Sequence, residues 1–149
     1  MSGTLDDLQK KLQNLNKNLG SKCAPKFKPL FRESVGKAIG HFYSDYQPKE
    51  YDRTYNFLRT INTAKTTGIG NTITMTVDSS AMSAYPGYFG TPLSPDSAFD
   101  YFYLEGEHGH GQYLAAVTDP PDMFVDIDVD DGFGGQAEQI IYDVIDSML

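Results

Sequence analysis

Asn71-Thr72-Ile73-Thr74-Met75-Thr76-Val77 is the stretch on which the hydrophobic period changes. Ile73, Met75 and Val77 occupy every second position with threonines between them, the pattern of a strand with one buried face. Upstream of it the apolar residues recur at helical spacing. Phe31, Val35, Ala38, Ile39, Phe42, Tyr43 and Tyr46 make a wide core-facing stripe, which predicts a helix over about 30–46, closed by Pro48. Helix first and strand after it, on one chain, define an α+β fold.

Working further toward the N-terminus, Leu5, Leu8, Leu12, Leu15 and Leu19 recur at alternating spacings of three and four, a two-heptad stripe. A helix over 5–19 is expected, with Thr4 as N-cap, Asp7 three residues on in an aspartate version of the capping box, and Gly20 as the stop. So narrow a stripe commonly packs within its own domain; docking on a neighbouring subunit is the other reading, with Leu8, Leu12 and Leu15 at the contact. Residues 23–29 read as a basic, proline-punctuated connection, and 50–59 as a short helical or irregular stretch.

Downstream, residues 79–97 are rich in Ser, Gly, Pro and Tyr and read as a long surface excursion. Dense aromatics predict a strand over 99–104, followed by a glycine-punctuated turn at 105–111 and a third strand over 112–117. Asp119-Pro120-Pro121-Asp122 is a firm break. Val125, Ile127 and Val129 alternate with Asp126, Asp128 and Asp130, a strand with an acidic outer face. A closing amphipathic helix is expected from Gln136, with Ile140, Ile141, Val144, Ile145 and Met148 facing inward. The expected fold is thus one domain over 1–149: an antiparallel sheet of three to four strands against two or three helices, with 1–20 as an N-terminal amphipathic helix.

Composition restricts the function classes. The 149 residues include ten Tyr, nine Phe, no Trp and one cysteine, Cys23, so no intrachain disulfide can form. The opening residues lack the order of a signal peptide, and no apolar run approaches the ~18 residues that span a bilayer. A soluble protein of a reducing compartment, without membrane contact, is expected. Residues 1–50 carry nine Lys or Arg against five Asp or Glu, whereas residues 66–149 carry fourteen acids and no Lys or Arg. That acidic part cannot neutralise phosphates, so it cannot grip nucleic acid.

The motifs of catalysis are missing their parts. His108 and His110, two apart beside Glu105 and Glu107, could share one face of a strand and ligate Zn²⁺ or Fe²⁺, but Gly106 and Gly109 break the segment and no HExxH or CxxC supports it. A solvated polar turn is the plainer reading. Asp126 to Gly132 superficially resembles a calcium loop, yet Asp131 stands where an EF-hand needs glycine and Ala137 where it needs a bidentate glutamate. There is no nucleophile elbow, P-loop or dinucleotide glycine fingerprint. No catalytic residue, metal or cofactor is expected.

Tyr51-Asp52-Arg53-Thr54-Tyr55-Asn56-Phe57-Leu58-Arg59-Thr60 resembles a motif of the tail-completion and head–tail joining proteins of long-tailed bacteriophages, whose members often read Tyr-x-Arg-Thr-Gly-Asn-Leu-x-Arg-Ser. Tyr51, Arg53, Thr54, Asn56 and Arg59 fit; Tyr55 stands where glycine is usual and Thr60 where serine is. Tyr101-Phe102-Tyr103-Leu104-Glu105-Gly106 is similar to the family's aromatic strand ending in a Tyr-Val-Glu-x-Gly turn, shortened by one residue. Asp119-Pro120-Pro121 sits where members carry a proline-rich break before the final strand and helix. The likeness spans about residues 30–149.

The resemblance implies a non-catalytic virion protein, assembled in the host cytoplasm, that forms a ring, usually hexameric, between the head connector and the tail tube. Its partners would be further copies of itself, connector or neck proteins and the tail tube protein, with DNA as a passenger. Arg53, Thr54 and Arg59 would be structural or interface residues; for Arg53 the plain alternative is a surface ion pair with Asp52 or Glu50. A bore free of Lys and Arg suits a channel that must not hold phosphate, with Asp126, Asp128 and Asp130 as candidate lining. Opposite charge on the two parts of one chain suits a head-to-tail contact. Two rivals come from other classes: an acidic DNA-mimicking inhibitor of a host nucleic-acid enzyme, and a small metallohydrolase using His108 and His110.

Overall fold

The computed structural model describes residues 4–44, 55–84, 92–108, 116–117 and 132–149. One helix dominates them. Helix α1 spans Leu5–Ser44, 40 residues, about 60 Å at 1.5 Å per residue. Its start is the expected capping box: the Thr4 N–H donates to Asp7 Oδ2 at 3.1 Å, and the Asp7 N–H donates to Thr4 Oγ1 at 3.3 Å.

The expected break between two helices does not occur. Helix α1 runs on through Gly20, Pro25 and Pro29. Each proline removes a donor from the helix interior, a cost of about 3 kcal/mol. Burial offsets it, because Cys23, Ala24, Phe27, Leu30 and Phe31 around the prolines are all buried. Hydrogen bonds from outside the helix also hold this stretch. The Gly20 N–H donates to the Gly70 carbonyl at 2.8 Å, and Thr66 Oγ1 donates to the Ala24 carbonyl at 2.5 Å.

Those bonds come from a hairpin. Strands β1 (Lys65–Ile69) and β2 (Thr72–Thr76) pair antiparallel, with Gly68 opposite Ile73 and Ile69 opposite Thr72. The alternation foreseen for residues 71–77 is present: Ile73 and Met75 are half-buried while Thr72, Thr74 and Thr76 are exposed. The hairpin crosses α1 backbone to backbone. A Cβ on Gly68 would run into the Gly20 carbonyl, and one on Gly20 into the Thr72 carbonyl, so glycine is required on both sides of the crossing.

Ahead of the hairpin a 3₁₀ helix covers Phe57–Thr63. Residues 99–104, expected as a strand, belong instead to helix α2, Pro95–Leu104. Ser94 caps it by accepting from the Ser97 N–H at 3.2 Å, Pro95 opens its first turn and Asp96 lies in that turn, three start signals in a row. The aromatics that suggested a strand repeat at i and i+4: Ala98 and Phe102 are buried, and the rings of Phe99 and Tyr103 stack at 5.1 Å.

Residues 107–108 and 116–117 form short strands β3 and β4, paired antiparallel. The fold is therefore α+β, but the single sheet of three to four strands is not found. Among the described residues there are four helices, one two-stranded hairpin and one separate two-residue pair. The strand expected over 123–130 lies outside the described residues. The closing helix, α3, spans Phe133–Met148, beginning three residues before the expected Gln136.

Two apolar clusters share α1. One joins Phe31, Val35, Ala38, Ile39 and Phe42 with Phe57, Met82, Ala98 and Phe102. The other joins Cys23 and Phe27 with Val144, flanked by Leu19, Ile140, Ile141 and Met148. Met75 and Phe133 pack against both, making the interior continuous.

Candidate assembly surfaces

Of the Arg-Thr motif, Arg53 and Thr54 lie outside the described residues; its second half is described. Tyr55 has a left-handed backbone, φ 51°, an uncommon state for a bulky residue, and its ring lies 5.0 Å from that of Tyr43. Asn56 is buried and directs both ends of its amide at one backbone position: Nδ2 donates to the Ser83 carbonyl at 2.6 Å and Oδ1 accepts from the Ser83 N–H at 2.9 Å. Arg59 Nη1 donates to Ser83 Oγ at 3.1 Å. Phe57 lies between Phe42, Phe99 and Phe102, with ring centroids 5.4–5.9 Å away.

The same short helix grips the chain after the hairpin. Thr63 Oγ1 accepts from the Asp78 N–H at 2.9 Å and donates to the Thr60 carbonyl at 2.7 Å. Asp78 accepts from the Ser80 N–H at 2.9 Å, and its hydrogen bonds to Ser80 hold its carboxyl below the ordinary range. Ser79 hydrogen-bonds Asp96 at the start of α2. Asn56 and Arg59 of the motif, together with Thr63, thus fix Asp78 and Ser83 onto the 3₁₀ helix. This clamp was missed from the sequence because its acceptor and donor are backbone atoms 27 residues away.

The leucine stripe divides. Leu19 packs on the second cluster and Leu15 is half-buried. Leu5, Leu8 and Leu12 are 86%, 53% and 55% exposed. Helix α3 ends alongside this region, where Lys11 Nζ donates to the Leu149 main-chain oxygen at 2.5 Å; Leu5 and Leu8 lie on the turns of α1 before that contact and Leu12 next to it. Toward the other end of α3, a groove of about 420 Å³ opens against α1; Pro29, Leu30 and Ile140 are the apolar part of its lining, and Lys26, Glu33 and Gln139 line it as well.

Among the described residues one ion pair forms, Lys37 with Glu33 at 3.2 Å on α1. Helix α3 carries Glu138, Asp143 and Asp146 and no basic residue, Gln139 Nε2 donating to Asp143 at 2.7 Å and the Tyr142 hydroxyl to Glu138 at 2.9 Å. That bond and the Glu138 charge push the Tyr142 hydroxyl above its ordinary range. Asp126, Asp128 and Asp130 lie outside the described residues, as does His110; residue 108 lies in β3 rather than in a turn. Among the described residues no group of three or more His, Cys, Asp or Glu could hold a metal ion, and no helix is long and apolar enough to cross a membrane. Burial pushes the Cys23 thiol up, with Lys26 pulling the other way.

Comparison of the chain with protein-family models, with curated proteins and with solved structures finds no match.

Proposed function

We propose that the chain is a bacteriophage virion protein of the head–tail joining or tail-completion type, which assembles with copies of itself into a ring at the junction of connector and tail. The observation that carries the reading is the backbone at Tyr55. The motif resemblance has its main departure there, tyrosine for glycine, and the residue adopts the left-handed conformation that glycine takes without strain. The position keeps the shape a glycine would give it.

Two further features support assembly rather than catalysis. Leu5, Leu8 and Leu12 form an exposed apolar ridge of the kind that marks a protein contact. The chain beyond Lys65 has no Lys or Arg, which suits a passage that lets DNA slide. Mass spectrometry of purified particles from lysates that contain this chain tests the proposal. The chain is expected as a stoichiometric particle component; its absence from particles, together with tight binding to a host nuclease, would support the inhibitor reading instead.

A further inference from the structure

The exposed ridge and the open groove lie on one helix. Leu5, Leu8 and Leu12 repeat at i, i+3 and i+7, the anchor spacing of a helix that inserts into a groove. Lys26, Pro29 and Glu33, which form the α1 wall of the groove, lie three heptads further along the same helix. At 1.5 Å per residue the two features are about 32 Å apart, and the drift of about 20° per heptad leaves them on the same broad side of α1. One copy cannot bring its own ridge to its own groove, since a single continuous helix separates them.

We infer that the N-terminal turns of α1 from one copy seat in the α1/α3 groove of a second copy, giving a head-to-tail contact. The inference rests on the assembly reading above and names the surfaces that make its subunit contact. Pro29, Leu30 and Ile140 give the groove an apolar lining, as an acceptor of leucines must have. Charge agrees in sign. The ridge is flanked on one side by Lys11, which keeps further donors beyond its bond to Leu149, and by Asp7, whose carboxylate accepts from the Thr4 N–H in the helix cap; on the other by Asp6, Gln9 and Gln13. The α3 wall is acidic beyond Gln139, with Asp143 next to it and no base on the helix, and the α1 wall offers Lys26 to Asp6. Glu33 keeps its own partner, Lys37, at the far end of the groove. Because ridge and groove are different surfaces, the contact is heterologous, the type that builds rings when its rotation closes.

The test uses the full chain, size-exclusion chromatography with light scattering, and two variants. Leu8→Asp with Leu12→Asp destroys the ridge; Gln139→Trp fills the groove. All three sites are exposed, and thermal melts should confirm that both variants fold. The wild type is expected to form species larger than a dimer, and each variant alone to stay monomeric. Mixed one to one, the two variants should form a heterodimer and go no further, since only one good ridge and one good groove remain. A ridge variant that still assembles, a mixture that fails to pair, or a wild type that stays monomeric at every concentration overturns the inference. Particle mass spectrometry separates this from the broader reading. Variants that assemble normally, with the chain present in particles, sink the ridge–groove contact alone. A mixed heterodimer from a chain missing from particles sinks the virion reading alone.

Discussion

Asn56 is the residue whose removal should be felt furthest from its own position. Asn56→Ala removes both hydrogen bonds to the Ser83 backbone, each with a net contribution of about 0.5–1.5 kcal/mol. Denaturant unfolding should show that loss; a change below about 0.5 kcal/mol, the range of an ordinary surface substitution, would mean that the clamp is not a structural feature. Tyr55 separates backbone from side chain. Tyr55→Gly removes the ring contact with Tyr43, about 0.5–1.5 kcal/mol, but relieves a left-handed backbone of similar cost. Tyr55→Ala removes the ring and keeps the strain. The glycine variant should therefore be the more stable of the two by about 1 kcal/mol, and the reverse order would rule out the conformational account of this position. Cys23 should react with a thiol reagent only as the protein unfolds, since it is fully buried. Rapid modification of the native protein would contradict that.

At the scale of elements, the period-2 stretch of β2, the capping box at Thr4 and the apolar face of α3 were legible, because each is a local pattern that tertiary packing preserved. The two expected N-terminal helices were not legible as one. Gly20, Pro25 and Pro29 are valid stop signals, and burial of Cys23, Phe27 and Leu30 with hydrogen bonds from the hairpin overrides them. Residues 99–104 differ: their aromatic density matches strand propensity, while Ser94-Pro95-Asp96 just ahead of them is a helix start that wins. The groove could not be read at all, since its walls are about 100 residues apart. The glycine crossing gives an element-scale contrast. Gly68→Ala forces a methyl into the Gly20 carbonyl and should cost at least the 1–3 kcal/mol of an overpacked site. Gly40→Ala, mid-helix with nothing nearby, should stabilise by about 0.5–1 kcal/mol. Melting curves of the pair should shift in opposite directions; equal shifts would show that the crossing is not tight.

For the whole molecule, the leucine stripe gives the clearest division between folding and assembly. Leu19 is half-buried against the second cluster, so Leu19→Asp should destabilise the fold by part of the transfer energy of a leucine, up to about 1.5–3 kcal/mol, and by partial burial of a carboxylate besides. Leu12 is exposed in the single copy, so Leu12→Asp should leave the melting transition of the isolated chain within about 0.5 kcal/mol and abolish self-association. The reading of the sequence left open whether the stripe served the core or a neighbour; the structure gives its two ends different surroundings. The charge division of the chain, basic at the start and free of Lys and Arg after residue 65, was legible in full, while the position of its acidic candidates Asp126, Asp128 and Asp130 was not, since those residues lie outside the described ones.

The central claim, a ring at the head–tail junction, is tested most directly by electron microscopy of tailed particles in which this chain carries a label. The expected result is labelled, ring-shaped density with six-fold symmetry between connector and tail tube, the acidic part of each subunit toward the channel. Particles without label, from cells in which the chain is found only as a monomer bound to a host nuclease, would contradict it.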